Sequence, residues 1–184
     1  CYWHGDKGYS GVGLHVRKAL APERPVFSHP DFDFEHRIVQ VELPGLTVAS
    51  IYVPNGGKDF QAKMRFLEAM DAHAAALQAA GRTAVLCGDL NVALTDLDLH
   101  PKERKPRAIG QLPEERALLD RIISRGLVDV GRALAREERA LVLGAPAARL
   151  GEGQEDRGEP AAERGVPCRS LPEDPFELLA EIAR

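Results

Sequence analysis

Between residues 46 and 88 an apolar extended run, a long helical stretch and a second apolar run follow one another with only short turns between them. That order restricts the chain to folds in which helices are layered on a sheet. Residues 46–53 are rich in β-branched and apolar side chains, as a strand requires, and stop at Pro54-Asn55-Gly56-Gly57, a turn signal. Residues 60–80 carry Phe66, Leu67, Met70, Ala74 and Leu77 at helical spacing, with Gly81 as a C-terminal stop. Met64 and Met70 are core residues on this reading. Residues 83–88 then return as a strand. Two further strands are predicted over residues 11–17 and 37–43, the second joined to the strand at 46 by Pro44-Gly45 as an antiparallel hairpin. A second helix is predicted from about Pro113 to Arg125, with Pro in its first turn, Glu114 and Glu115 beside its N-terminus and Gly126 beyond its end. The predicted class is α/β.

The 184-residue chain carries a formal net charge of −4, and this charge is unevenly placed. Residues 135–184 contain 7 Arg against 11 Asp and Glu, whereas residues 1–134 are balanced at 17 of each sign. Residues 135–184 also contain no Lys, one aromatic residue (Phe176) and ten Gly and Pro. Such a segment cannot bury enough apolar area to offset its ordering entropy. The expected organisation is a folded part over residues 1–134 and a divergent, largely disordered tail over 135–184, with a short helix only near Phe176 to Ile182. Cys1, Cys87 and Cys168 stand at unrelated spacings that give neither a disulfide framework nor a zinc site. Cys87, in an apolar run, is expected to be a small buried hydrophobe. No apolar stretch is long enough to span a membrane and no signal-peptide pattern is present. These features favour a reducing, cytoplasmic setting and no membrane partner, and the expected state is a monomer.

The chemistry-bearing residues gather at the ends of the two central apolar runs. Gly88-Asp89-Leu90-Asn91 delivers a carboxylate and an amide two residues apart, which strand alternation would place on one face. A carboxylate can take a proton or a metal, and an amide can hold a water or an oxyanion. The same residue types are also ordinary turn formers after a strand. Lys102, Arg104, Lys105 and Arg107 place four cations within six residues, enough for several phosphate contacts or simply a solvated loop. The six His residues are scattered, and none has metal-ligand spacing with another His or Cys, so each reads as a surface or satisfied side chain.

Five blocks occur in a distinctive order: Trp3-His4-Gly5-Asp6-Lys7-Gly8-Tyr9-Ser10-Gly11-Val12-Gly13-Leu14, Ser50-Ile51-Tyr52-Val53-Pro54-Asn55-Gly56-Gly57, Gly88-Asp89-Leu90-Asn91, Leu112-Pro113-Glu114-Glu115-Arg116 and Gly126-Leu127-Val128-Asp129. In this order and spacing they resemble exonuclease III and the related apurinic/apyrimidinic endonucleases of the endonuclease/exonuclease/phosphatase superfamily, over roughly residues 2–134. The resemblance implies part of a four-layered α/β sandwich, two packed, mainly antiparallel sheets with flanking helices. It implies a DNA-repair nuclease that hydrolyses phosphodiesters of duplex DNA at abasic sites or 3′ ends, with Mg²⁺ as cofactor and Mn²⁺ as a possible substitute. Tyr52, Asp89 and Asn91 match the catalytic positions, Asp89 and Asn91 also the metal site. Asn55 matches a DNA-backbone contact, and Lys102, Arg104 and Lys105, just after the Asp-Leu-Asn turn, are the candidate phosphate contacts. Asp98 matches an acidic position that touches a metal or structures its loop; loop structuring is the favoured reading. Tyr9 and Ser10 are explained by packing and turn geometry.

The departures are as informative. The family's early strand bearing an Asn, its Gln-Glu-Thr segment with the metal-binding Glu, its closing Arg-x-Asp strand and its Ser-Asp-His segment have no counterpart here. The expectation is a chain lacking both family ends and acting slowly or not at all. A shifted reading frame, a misassigned end and genuine divergence all remain open for residues 135–184. The alternatives to a nuclease are a non-catalytic remnant that binds DNA weakly and a superfamily phosphatase or phospholipase.

Overall fold

The computed structural model describes residues 1–134, Lys7, Pro22 and Pro106 excepted. The elements are β1 (Tyr2–Asp6), β2 (Tyr9–Leu14), β3 (Phe27–Ser28), β4 (Ile38–Leu43), β5 (Leu46–Tyr52), α1 (Phe60–Ala79), β6 (Thr83–Asp89) and α2 (Pro113–Ile123), with short 3₁₀ turns at Lys18–Leu20, Asp96–Asp98 and Pro101–Glu103. Strands β1 and β2 form an antiparallel pair, and a four-stranded sheet runs β3-β4-β5-β6. The class is α/β, with two sheets and flanking helices, as the sequence indicates.

Pro44-Gly45 makes the predicted hairpin, with Leu43 opposite Leu46 and Gly45 at φ +73. Strands β5 and β6 run parallel, joined by α1. Helix α1 starts where the Asp59 carboxylate accepts from Ala62 N at 2.8 Å, and Gly81 ends it at φ +63. Along β5, Thr47, Ala49 and Ile51 are buried and alternate with half-buried neighbours. Ala49, Ile51, Val53 and Ile38 meet Phe66, Leu67, Met70 and Ala74 of α1 and Leu118 and Ile122 of α2 in one apolar cluster. Burial of each large side chain there contributes about 1.5–3 kcal/mol. The carboxylate of Asp71 on α1, 7% exposed, takes two hydrogen bonds from Arg125 (2.9 and 3.0 Å) and an ion pair from Arg121 of α2 (2.9 Å), locking the helices together. Val39 and Val41, on the other face of the sheet from Ile38, are also buried, and β2 lies against β4 and β5.

Strands β1 and β3 were not legible in the sequence. β1 is polar and broken by Gly5, and forms by pairing with β2; β3 has two residues. The strand expected over 11–17 instead spans Tyr9–Leu14. Cys87 departs from expectation too. β6 is an edge strand of the described sheet and Cys87 is exposed, its thiol donating to Ala49 O at 3.3 Å. Partial burial of the sulfur pushes that thiol's pKa up.

The chain divides into two compact units, Cys1–Leu127 and Val128–Arg184. Of the second, residues 128–134 are described. A helix begins at Val130, and Asp129 caps it by accepting from Arg132 N at 3.0 Å. The tail and the helix expected near Phe176 lie outside the described residues.

Candidate active site

Parallel pairing of β5 and β6 ends with Tyr52 directly opposite Asp89. Beyond this pair the chains turn, and the turns are hooked to each other. Val53 N donates to Asp89 O at 2.9 Å, and the Asn91 amide donates to Val53 O at 2.9 Å. Asp89 Oδ1 accepts from Asn91 N at 2.9 Å. Asp89 and Asn91 are therefore brought together by a turn and not by strand alternation. β6 stops at Asp89, and Asn91 sits at φ +50, a left-handed conformation that Asn tolerates better than most residues. Asp89 is exposed, with Oδ2 facing no described donor, while Asn91 is half-buried and keeps its side-chain oxygen available. Gly88 is required just before: at φ +128, a Cβ there would lie 1.9 Å from Ile51 O.

A buried ion pair holds both turns from below, and sequence reading missed it. Lys63 of α1 and Glu115 of α2 are each 0% exposed, with Lys63 Nζ 2.5 Å from Glu115 Oε1. Lys63 Nζ also donates to Asn91 O at 2.7 Å and to Asn55 O at 3.4 Å. Glu115 Oε2 accepts from Gly110 N at 2.7 Å and Leu112 N at 3.0 Å. One ammonium thus gathers the Asn55 turn, the Asn91 turn and the start of α2. The signal was present: Lys63 stands three, four and seven residues before Phe66, Leu67 and Met70, on the apolar face of α1. A charge on that stripe needs a buried partner.

Tyr52 is half-buried and held from the side. The Arg37 guanidinium lies 5.0 Å from its ring centre, 5.7 Å from that of Phe34 and 5.9 Å from that of Tyr9. Arg37 also donates to Tyr52 O at 3.4 Å and pairs with Glu35 at 2.7 Å. Ser10 sits at φ +50 and donates to Glu35 O, which ties β2 to this cluster and agrees with a turn-building role.

Asn55 is exposed, and its side-chain oxygen accepts from Gly57 N at 2.8 Å, which shapes the turn. Lys102, Arg104, Lys105 and Arg107 are all exposed, and Arg104, Lys105 and Arg107 line an open depression with Ala108. Gln111 fastens this loop, accepting from Lys105 N at 2.8 Å and donating to Glu103 O at 3.0 Å. Asp98 accepts from Thr95 N at 2.8 Å, in line with loop structuring. His100 likewise accepts from Lys102 N at 3.3 Å. Burial pushes the pKa of His73, on α1, down.

A model of the Endonuclease/Exonuclease/phosphatase family matches residues 1–141. The chain belongs to this family. It is 31% identical over 141 residues to the DNA repair nuclease APEX1 of Danio rerio, covering 72% of this chain and 44% of that protein. It is 29% identical over 134 residues to an exodeoxyribonuclease of Bacillus subtilis, covering 70% of this chain and 52% of that one. The recombination repair protein 1 of Drosophila melanogaster matches at 27% over 130 residues, 69% of this chain and 19% of the relative. The chain thus spans about half or less of the length of these curated relatives. Among solved structures, an AP endonuclease from Archaeoglobus fulgidus superposes with a TM-score of 0.51 at 28% identity, covering 64% of this chain and 49% of that one.

Within the family frame, the donor set can be weighed for a metal. Asp89 Oδ2 and the Asn91 side-chain oxygen are hard oxygen donors on one turn, suited to Mg²⁺ that retains several waters. Among the described residues no group of three His, Cys, Asp or Glu ligand atoms includes Asp89. The turn itself thus offers one carboxylate and one amide oxygen.

Proposed function

We propose that this chain carries the phosphate-handling centre of a DNA-repair phosphodiesterase of the abasic-endonuclease and 3′-exonuclease kind. The observation that carries the reading is the pairing of Tyr52 with Asp89 at adjacent strand ends, with Asn91 fastened to Val53 beside them. Asp89 is the general base that takes the proton of the attacking water. Asn91 orients that water or the phosphate, and the Tyr52 phenol stands beside the scissile group. Asn55 contacts the DNA backbone, and Lys102, Arg104 and Lys105 bind flanking phosphates. Mg²⁺, or Mn²⁺ in its place, would be held by Asp89 and Asn91 and would neutralise charge on the phosphate. The substrate is duplex DNA with an abasic site or a free 3′ end, and the chain acts as a monomer in the cytoplasm. Among the described residues no helix is long and apolar enough to cross a membrane.

With one carboxylate among the described donors, turnover by this chain is slow. Removing members of a catalytic group that acts as a unit leaves a small residue of the rate. The test of substrate class is competition binding. A labelled abasic duplex is expected to bind with a log–log salt slope of about −2.7 for three phosphate contacts, and inositol phosphates are expected not to displace it. Displacement of the duplex by inositol phosphates, or their faster hydrolysis, would replace this reading with a superfamily phosphatase.

A further inference from the structure

Away from Asp89, the structure gathers three histidines that the sequence scatters. His4 lies on β1, and His29 and His36 lie between β3 and β4. The rings of His4 and His29 stack at 3.7 Å with 24° between their planes, and His36 meets His4 edge-on at 4.6 Å. Asp33 joins them, with Oδ2 2.5 Å from His4 Nε2. One ligand atom from each of His4, His29 and Asp33 lies within 4.8 Å of the others.

From this constellation we propose a second metal site, His4–His29–Asp33, selective for a borderline transition ion such as Zn²⁺ over Mg²⁺. The outer contacts of His29 and Asp33 are those that fix metal ligands. His29 Nδ1 lies 3.2 Å from Ile38 O, which commits its proton to that bond and leaves Nε2 as a lone-pair donor. A ligating imidazole typically has its other nitrogen bound to a carbonyl or carboxylate in this way. Asp33 Oδ1 is engaged by Arg37 N at 2.9 Å and Ile38 N at 3.1 Å, which turns Oδ2 toward His4. Tyr2 OH reaches His29 Nε2 at 3.0 Å, a bond that metal binding at that nitrogen would have to displace. The Asp33 and His4 side chains are 12% and 15% exposed, so these two ligands are sheltered yet reachable.

Two imidazole nitrogens, one carboxylate oxygen and a water make a four-coordinate set that suits Zn²⁺. The strongly hydrated, octahedral Mg²⁺ prefers oxygen donors. The ion takes the place of the proton between His4 Nε2 and Asp33 Oδ2, and that proton passes to solvent. Because imidazole lone pairs lie in the ring plane, a shared ion requires the His4 and His29 rings to turn out of their 24° stack. Because His4 belongs to the β1–β2 pair and His29 and Asp33 to the segment leading into β4, the ion would pin that pair to the larger sheet. The site is independent of the nuclease reading, since it shares no residue with Tyr52, Asp89 or Asn91.

The test uses the full 184-residue chain without a histidine tag, stripped with chelator and titrated with Zn²⁺ and with Co²⁺ as a spectroscopic probe. One Co²⁺ per chain is expected, with visible bands of a four- or five-coordinate nitrogen–oxygen site that Zn²⁺ bleaches and excess Mg²⁺ does not. Zn²⁺ is expected to raise the melting temperature, as any ligand of the folded state does. His29→Ala should abolish the Co²⁺ bands. Asp33→Asn keeps an oxygen for Arg37 N and Ile38 N, and so keeps the fold, and it should lower Zn²⁺ affinity by a factor on the order of 100. Three results would overturn the site: an intense thiolate-to-cobalt band marking cysteine ligation, equal binding by the wild-type and Asp33→Asn proteins, or no Zn²⁺ effect on a folded wild-type chain.

Discussion

The turns that end β5 and β6 and the basic loop at residues 101–108, both assigned to an anionic substrate under the proposed function, are built in opposite ways. At the first, the charge that shapes the site is inside: Lys63 and Glu115 are fully buried, and their donors and acceptors are spent on the backbone of residues 55, 91, 110 and 112. At the second, the charges are outside, and the loop is held by Gln111 and by backbone hydrogen bonds while its cations stay exposed. Buried charge fixes geometry at high cost if one partner is lost. Exposed charge supplies attraction that tolerates substitution and fades with salt. Positioning and attraction are thus separated in this chain, and each can be altered without the other.

The largest expected effect comes from the buried side. Lys63→Ala should destabilise the protein by about 3–5 kcal/mol in chemical denaturation, because it strands the Glu115 carboxylate. The double change Lys63→Met with Glu115→Leu should cost much less, since no charge is orphaned, yet it should still loosen the Asn55 and Asn91 turns. A single change costing no more than the double would remove the contrast drawn here.

Next in size is Gly88→Ala. A Cβ 1.9 Å from Ile51 O forces β6 away from β5, at about 2–3 kcal/mol, and displaces Asp89 with it. Unchanged stability would mean the strands are not held at this spacing.

How far the sequence revealed these features follows from where their causes lie. The α1 stripe, the Pro44-Gly45 hairpin and the Asn55 and Asp89 turns are local patterns, and they read directly. The Lys63–Glu115 pair joins residues 52 positions apart and was readable only as a misplaced charge on an apolar face. β1 depends on β2 for its hydrogen bonds, and the His4–His29–Asp33 group depends on two chain segments meeting, so neither has a local signature. Asp89 and Asn91 were read as a pair for a reason the structure replaces, a hydrogen-bonded turn in place of strand alternation. The apolar run around Cys87 suggests cover on both sides, whereas β6 is an edge of the described sheet and leaves the residue exposed.

A smaller effect concerns pH. The Arg125 hydrogen bonds, aided by the charges of Arg121 and Arg125, hold the Asp71 carboxyl below its ordinary pKa against the opposing pull of burial. Because the folded value is depressed, this contribution is full above the ordinary carboxylate range. It is lost as pH falls through the folded value. Asp71→Asn should therefore lower stability at neutral pH and flatten the acid limb, with the two melting curves converging at low pH.

The smallest effect on stability is expected on the exposed side. Arg104→Ala should change folding by less than about 0.5 kcal/mol. The same change should reduce the salt slope of DNA binding by about 1. A large loss of stability there would show that the loop, like the buried pair, carries structure.

The central claim, that Asp89 at the end of β6 is the chemical centre of a DNA phosphodiesterase site, is tested most directly by cleavage. The purified chain, its Asp89→Ala variant and the Bacillus subtilis exodeoxyribonuclease are compared with Mg²⁺ on a duplex bearing one abasic site. The account predicts slow, Mg²⁺-dependent cleavage by this chain, lower than the Bacillus enzyme's by a factor on the order of 1,000 or more, and abolished in Asp89→Ala. Cleavage that persists unchanged in Asp89→Ala would contradict the assignment of the site. Turnover equal to that of the Bacillus enzyme would contradict the proposed shortage of carboxylates around it.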